Sequence, residues 1–269
     1  MDQHNIRCFK KKYFKNLQLY AVAVSNGYQE ETIHQFRVAY KKYRTFIRLV
    51  SVSSNSEKGV KISKRLKYWY NLLGYLRDLQ LQQRLIMDAF ETEQERPQAY
   101  VYALEKEIST VKLTFSVKSF QAAVTTNQNK AKPFITEKIS KCHCLKFVCE
   151  KLLLVHEVLL KSELSDTDFH RIRKNLKDIF YFLSMGKMRL ADFLSSSIFN
   201  SNDDQYLKFL LEQLGEFQDL CTAIILLKTI CFNPANLKQQ HTLTQLQEKW
   251  ALEKEQLRGR LVSSLIGGY

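Results

Sequence analysis

Glycine and proline are scarce in this sequence, with 8 and 3 residues among 269. A chain built from strands needs these residues in its many turns, so their scarcity argues against an all-β fold or a dense alternation of strands and helices. Apolar residues still make up 45% of the chain, which is enough to bury a core and argues against wholesale disorder. The length suits one large domain or two smaller ones, and the composition predicts long helices.

Long apolar runs and a dense set of cysteines are lacking as well. The sequence has no apolar stretch of about 18 residues, so we expect no membrane-spanning helix. The six cysteines are too sparse for a disulfide scaffold, which favours free, partly buried thiols in a reducing cytosol. A basic segment before residues 17–24 imitates a signal peptide, but the repeat described below aligns it with an internal amphipathic helix. We therefore expect it to belong to the fold and the protein to be cytoplasmic.

Signatures of catalysis are missing too. Neither Gly-x-x-x-x-Gly-Lys-Ser/Thr nor Gly-x-Gly-x-x-Gly occurs, so nucleotide-loop enzymes have no support. Cys142, Cys149 and His156 look like metal ligands at first sight, yet they repeat at the seven-residue spacing of one helix face. Because cysteine is among the most often buried residues, we interpret them as a packing face. The sequence predicts a protein that is not an enzyme and holds no cofactor and no metal.

Helical spacing of apolar residues covers almost the whole chain, so the predicted fold class is all-α. Pro97, Pro133 and Pro234 sit where helices can begin, since the first turn does not need their missing N–H. The polar residues 125–133 lack the apolar spacing of a helix and are the best candidate for a linker. The predicted helices are residues 5–24, 30–52, 60–90, 97–120, 136–161, 167–185, 187–199, 203–231 and 235–264.

An internal repeat divides the chain into two halves. Leu73-Gly-Tyr-Leu-Arg-Asp-Leu79 returns as Leu214-Gly-Glu-Phe-Gln-Asp-Leu220, and Ile33-His-Gln-Phe-Arg37 returns as Phe169-His-Arg-Ile-Arg173. The two copies are predicted to fold as similar helical repeats that together form one domain. The predicted boundaries are a first repeat at 1–125, a linker at 126–134 and a second repeat at 135–269.

Positive charge is in excess, with 41 Lys and Arg against 27 Asp and Glu, a formal net charge of +14. At about 100° per residue, the predicted helix 30–52 gathers part of this charge into one narrow stripe. A merely solvated face would gain from acid–base pairs, whereas like charges at i,i+4 cost about 0.2–0.5 kcal/mol each. No Asp or Glu occurs between residues 32 and 56, which favours an anion-binding face. The stripe consists of His34, Arg37, Lys41, Arg44 and Arg48.

The second repeat carries a similar stripe of His170, Arg173, Lys174 and Lys177. Aligned cations on rigid helices preorganise a phosphate site, because Arg grips phosphate oxygens with two donors and Lys adds a point charge. We predict that the two equivalent histidines donate to phosphate oxygens and that a nearby phosphate raises their pKa. Catalysis would need a positioned nucleophile or metal ligands, and neither is found near the histidines.

The repeated His-x-x-Arg followed by Lys and Arg, together with the repeated Leu-Gly-x-x-x-Asp-Leu, resembles the CHAD family, the conserved histidine α-helical domain. The resemblance covers roughly residues 5–265. It implies two four-helix bundles related by a pseudo-twofold axis, with basic residues of both lining a central groove or pore that binds inorganic polyphosphate. Members of the family associate with polyphosphate granules, so the resemblance also implies such a location.

The resemblance assigns polyphosphate contacts residue by residue. The stripe residues of both repeats are the main ones, and further basic residues on the neighbouring helices are weaker candidates. The main contacts are His34, Arg37, Lys41, Arg44, Arg48, His170, Arg173, Lys174 and Lys177, and the weaker candidates are Lys67, Arg77 and Lys208.

The second repeat departs from the family's pattern. Phe180 and Ser184 stand where Arg44 and Arg48 predict cations, and Gln218 replaces the arginine of the second Arg-Asp pair. The stripe of the second repeat is therefore expected to bind polyphosphate more weakly or over a shorter length.

Four further charged residues belong to the surroundings of the two stripes. Lys187 and Arg189 could compensate for the missing cations, although their position in the groove is not predicted. Asp78 and Asp219 are acids in basic surroundings, and we interpret them as structural partners that orient Arg or Lys.

Two other functions stay open. A nucleic-acid binder would use the same stripes, with exposed aromatic side chains among the cations for base stacking. Phe36, Tyr40 and Tyr43 fall on the apolar face instead, which favours a polyanion without bases. A polyphosphate-processing phosphatase would need acids around the groove to hold Mg²⁺, and the stripes carry none.

Overall fold

The computed structural model describes residues 3–53, 61–131, 139–186, 188, 190, 203–230 and 237–266. Within these ranges every regular element is a helix, which confirms the all-α prediction. A short 3₁₀ helix, Glu93–Glu95, lies between the third and fourth α-helices. The α-helices are α1 (Gln3–Ser25), α2 (Glu30–Ser53), α3 (Lys64–Ala89), α4 (Gln98–Thr114), α5 (Val117–Ala131), α6 (Lys141–Leu159), α7 (Asp166–Gly186), α8 (Asp203–Thr229) and α9 (Leu237–Ile266).

The helices of each half pack mainly on one another. In the first half α1 contacts α2 and α5, and α3 contacts α2, α4 and α5. In the second half α6, α7, α8 and α9 pack in chain order. The halves meet where α2 lies against α6 and α7 and where α3 lies against α8. The repeat-equivalent helices α2 and α7 are thus in direct contact, whereas the pseudo-twofold relation of two four-helix bundles stays a prediction.

The predicted helix at 97–120 is wrong, because the structure divides this segment between α4 and α5. The break lies at Phe115, whose backbone is extended with φ −80° and ψ 118°. The Phe115 ring packs edge-on against Trp69 at 4.9 Å and Tyr28 at 5.1 Å between centroids. These aromatic contacts anchor the ring in the core of the first half and turn the chain there.

The linker predicted at 126–134 is wrong for residues 126–131, which form the end of α5. The Asn127 amide donates to the Tyr43 hydroxyl at 2.7 Å and its oxygen accepts from the Ser63 N–H at 2.7 Å. Gln128 donates to the Phe14 carbonyl at 2.9 Å. Both side chains are buried, so the polar residues that suggested a linker satisfy backbone and hydroxyl groups inside the bundle. Residues 132–134 lie outside the described residues, as does the predicted helix at 187–199 apart from residues 188 and 190.

The cysteine face predicted on α6 is not the packing face. Cys144 is buried next to Phe147 and Val148, whereas Cys142 and His156 are exposed. The apolar side chains of α6 determine which face of the helix is buried. The seven-residue spacing of Cys142, Cys149 and His156 does not mark that face. Across the described parts of the chain, no three His, Cys, Asp or Glu residues are grouped as metal ligands would be.

None of the described helices is both long and apolar enough to span a membrane.

Candidate anion-binding site

The basic stripes of α2 and α7 lie together because each helix buries its apolar face in its own half of the chain. Burial of Phe36 and Tyr43 fixes the rotation of α2, and burial of Phe169 and Leu176 does the same for α7. Each helix is strongly amphipathic, so an apolar face toward its own half leaves the basic face toward the contact between halves. The stripes therefore meet where α2 packs on α7.

Four of the predicted residues converge there: Arg37 and Lys41 of α2 with Arg173 and Lys177 of α7, named here the inner cluster. The pKa of Lys41 is lowered to about 6, first by burial and then by the charges of Lys177, Arg37 and Arg173. Burial and the charge of Arg173 likewise lower the pKa of Lys177 to about 8, although Asp219 opposes this. The cations of the two halves are thus close enough to repel one another.

The repeated aspartates lie beside the inner cluster. Burial raises the pKa of both Asp78 and Asp219. The charge of Arg37 opposes the rise at Asp78, whereas the charge of Asp219 adds to it. The charge of Arg173 opposes the rise at Asp219. Asp219 is nevertheless exposed, so solvent reaches this carboxylate beside the inner cluster. Four basic side chains against two acids leave the inner cluster with a surplus of positive charge, even while Lys41 is uncharged.

The glycine of the repeated motif makes room for an arginine. Nη1 of Arg37 donates to the Tyr70 carbonyl at 3.0 Å, and its guanidinium carbon lies 4.6 Å from the centroid of the Tyr70 ring. A Cβ at Gly74 would overlap this guanidinium, whereas one at Gly215 would lie 3.5 Å from Nη2 of Arg173. The sequence did hold a signal for this role, since a mid-helix glycine recurs at the same place in both repeats.

Gly74→Ala is expected to weaken anion binding about tenfold, or about 1.4 kcal/mol, because the new methyl group moves the Arg37 guanidinium. Its effect on stability should be small. The lost hydrogen bond costs about 1 kcal/mol and the higher helix propensity of Ala returns about 0.5–1 kcal/mol. Gly215→Ala is the matched control, because its Cβ makes an ordinary contact, and its affinity should stay within twofold. Titration with polyphosphate and thermal melting check both variants; equal affinities would refute this role of Gly74.

The two histidines differ in their surroundings. His34 is half-buried, and its pKa is lowered by burial first and then by the charges of Arg77 and Lys41, among others. In the protein alone, burial and the cations around the ring outweigh the opposing charge of Glu31. The rise in pKa beside a bound phosphate stays a prediction. His170 is exposed, and its Nδ1 is hydrogen-bonded to Oε1 of Gln218 at 2.7 Å.

Arg44 and Arg48 meet a carboxylate that the sequence analysis missed. Asp178 of α7 pairs with Arg48, lies 3.7 Å from Nη2 of Arg44 and 3.3 Å from Nζ of Lys151, and accepts from Thr45 at 3.1 Å. We call Arg44, Arg48, Lys151 and Asp178 the outer cluster. Asp178 directly follows Lys177, the last cation of the α7 stripe, which was a signal in the sequence, whereas nothing in the sequence singled out Lys151.

Lys174 is exposed at the edge of the outer cluster. Its pKa is lowered by burial and then by the charges of Arg48 and Arg44, while Asp178 opposes this. It therefore lies within electrostatic reach of both helices.

The weaker candidates are not part of the inner cluster. Arg77 donates to Glu30 at 2.8 Å and is held by that ion pair. Lys208 pairs with Glu212 of its own helix at 4.0 Å, and Lys67 is exposed near the start of α3. Lys187 and Arg189 lie outside the described residues.

Comparison with known proteins agrees with this architecture. The family model of the CHAD domain matches residues 11–228. The crystal structure of the CHAD domain from the plant Ricinus communis is similar, with a TM-score of 0.56 and 18% sequence identity, over 97% of this chain and 85% of that chain. No curated protein matches the sequence. The structural similarity shows a common fold, and the family model covers most of the chain: this protein belongs to the CHAD family.

Proposed function

We propose that this protein binds inorganic polyphosphate in the groove where α2 meets α7. The observation that carries the proposal is the inner cluster, in which Arg37, Lys41, Arg173 and Lys177 converge from two halves of the chain. In the empty protein the charged form of Lys41 is disfavoured first by burial and then by repulsion from the other three cations, so its pKa is lowered. A polyanion that binds there supplies the missing negative charge and relieves the repulsion.

A polyanion without bases fits this groove better than a nucleic acid. Phe36, Tyr40 and Tyr43 are buried in the core, so the aromatic rings of α2 are not available for base stacking. Tyr70, the ring closest to Arg37, is covered by that guanidinium and stacks on Tyr40 at 4.1 Å between centroids. The CHAD family is linked to polyphosphate binding in general, which supports the same ligand.

The proposed role is non-catalytic, in the cytoplasm and on polyphosphate granules. The acids beside the inner cluster are Asp78 and Asp219, and burial raises the pKa of both. Two carboxyl groups surrounded by Arg and Lys favour ion pairing over the binding of Mg²⁺, which needs several oxygen ligands and competes poorly with nearby cations.

A titration against three polyanions tests this function. At about 150 mM salt, long-chain polyphosphate is expected to bind at least tenfold more tightly than single-stranded RNA or duplex DNA of equal charge. The affinity should fall steeply with salt, because binding releases counterions. Inorganic phosphate measured in the same samples, with and without Mg²⁺, should stay at the level of the blank. Equal or tighter binding of either nucleic acid would favour the nucleic-acid function instead.

A further inference from the structure

The outer cluster gives one carboxylate the environment of a bound phosphate. The side chain of Asp178 is only 1% exposed, and its two oxygens lie among Arg44, Arg48, Lys151 and the Thr45 hydroxyl. Three of these four groups are cations, and they come from both α2 and α6. Arg and Lys donate charge-assisted hydrogen bonds to carboxylate and phosphate oxygens alike, so the same side chains suit a phosphate group.

We infer that Asp178 is a built-in anion that fills the Arg44–Arg48 end of the basic stripe and confines polyphosphate to the inner cluster. The inference rests on the proposed function and narrows it. This groove takes a short run of phosphates, and the stripe of α2 does not bind polyphosphate along its full length.

Displacement of Asp178 by a ligand is disfavoured for two physical reasons. The carboxylate is attached to α7, so its effective concentration at Arg44 and Arg48 exceeds that of a free phosphate group. A displaced Asp178 would also be left buried without a partner, which is costly for any charge. Arg44 and Arg48 are themselves 21% and 35% exposed, so the carboxylate closes the inner side of their guanidinium groups.

The repeat agrees with a short site. An anion track continued along α7 would need cations where Phe180 and Ser184 stand. Asp178 itself occupies the position that Lys42 holds in the first repeat. The second half thus has an acid and two uncharged residues opposite the end of the α2 stripe.

The rival interpretation is that Asp178 positions Arg44 and Arg48 for polyphosphate. The salt dependence of binding separates the two, since each phosphate contact on a single-stranded polyanion contributes about 0.7 to the slope of log K against log salt. An internal anion predicts that Arg48 adds nothing to the slope, whereas a positioning carboxylate predicts that it adds a full contact.

The experiment compares Arg48→Ala with Lys177→Ala in titrations of long-chain polyphosphate at several salt concentrations. We expect Arg48→Ala to change the affinity less than threefold and to keep the slope. Lys177→Ala, which also removes one cation, should weaken binding at least tenfold and make the slope shallower by about 0.7. Equal losses in both variants would overturn the inference.

Asp178→Asn provides the opposite test. Freed of the carboxylate, Arg44, Arg48 and Lys151 should engage phosphate, so the slope should steepen by about 0.7 or more and affinity for long chains should rise at least fivefold. A shallower slope would show that Asp178 positions the arginines. Should circular dichroism show this variant to be unfolded, the Arg48 and Lys177 comparison decides. Absence of polyphosphate binding by the unaltered protein would overturn the proposed function, whereas binding with contrary slopes would overturn this inference alone.

Discussion

Replacing Arg37, Lys41 and Arg173 together by alanine is expected to weaken polyphosphate binding at least 100-fold. These residues supply three of the four cations of the inner cluster, from both halves of the chain. At about 1.5 kcal/mol or more for each lost contact to a charged group, the two arginines alone account for about 3 kcal/mol, which corresponds to a loss of about 100-fold. Fluorescence anisotropy with labelled long-chain polyphosphate at about 150 mM salt measures the loss, and circular dichroism confirms that the helices remain.

The matched control removes the same charge elsewhere. Lys106, Lys118 and Lys249 are exposed cations on α4, α5 and α9. Their joint replacement by alanine lowers the net charge equally, so it reports the general attraction of a basic protein for a polyanion. We expect the control to lose less than fivefold. If both triple variants lose affinity equally, binding depends on net charge and the groove is not the site.

Polyphosphate binding should weaken as the pH rises. Burial and the charges of Lys177, Arg37 and Arg173 lower the pKa of Lys41 to about 6 in the unbound protein. A bound polyanion favours the ammonium form and raises this pKa toward the ordinary 10.5. Binding above about pH 6 therefore takes up a proton, and affinity falls by up to tenfold per pH unit. Lys177, with a pKa of about 8, adds to the fall at higher pH.

Between pH 6.5 and 8.5 the dissociation constant should therefore rise by about 10- to 100-fold at constant ionic strength. Long-chain polyphosphate is the suitable ligand, since only its terminal groups carry a phosphate proton with a pKa of about 6. Calorimetry in two buffers of different ionisation enthalpy measures the proton uptake directly. Lys41→Arg is the control, because arginine stays charged and should flatten most of the dependence. A dissociation constant independent of pH would show that Lys41 is already charged in the empty groove.

Helical periodicity explains how much of the site could be predicted. Arg37, Lys41, Arg173 and Lys177 share helix faces opposite an apolar stripe, and that relation depends only on residues a few positions apart. The same local rule misplaced the end of α4 and the linker. Phe115 turns the chain because its ring reaches Trp69 in another helix. Asn127 can be buried because its amide donates to the Tyr43 hydroxyl and accepts from the Ser63 N–H.

The amino-acid sequence by itself determined that the described parts of the chain are helical, which residues form the two basic stripes and that the same motifs recur in both halves. Only the tertiary structure decided that the stripes face each other, that Gly74 clears space for Arg37, and that Asp178 pairs with Arg44 and Arg48. The physical reason is the range of the interactions involved. Periodicity follows from neighbours within a few turns of one helix, whereas the partners of Asp178 in α2 and α6 are set by the packing of helices from the two halves of the chain.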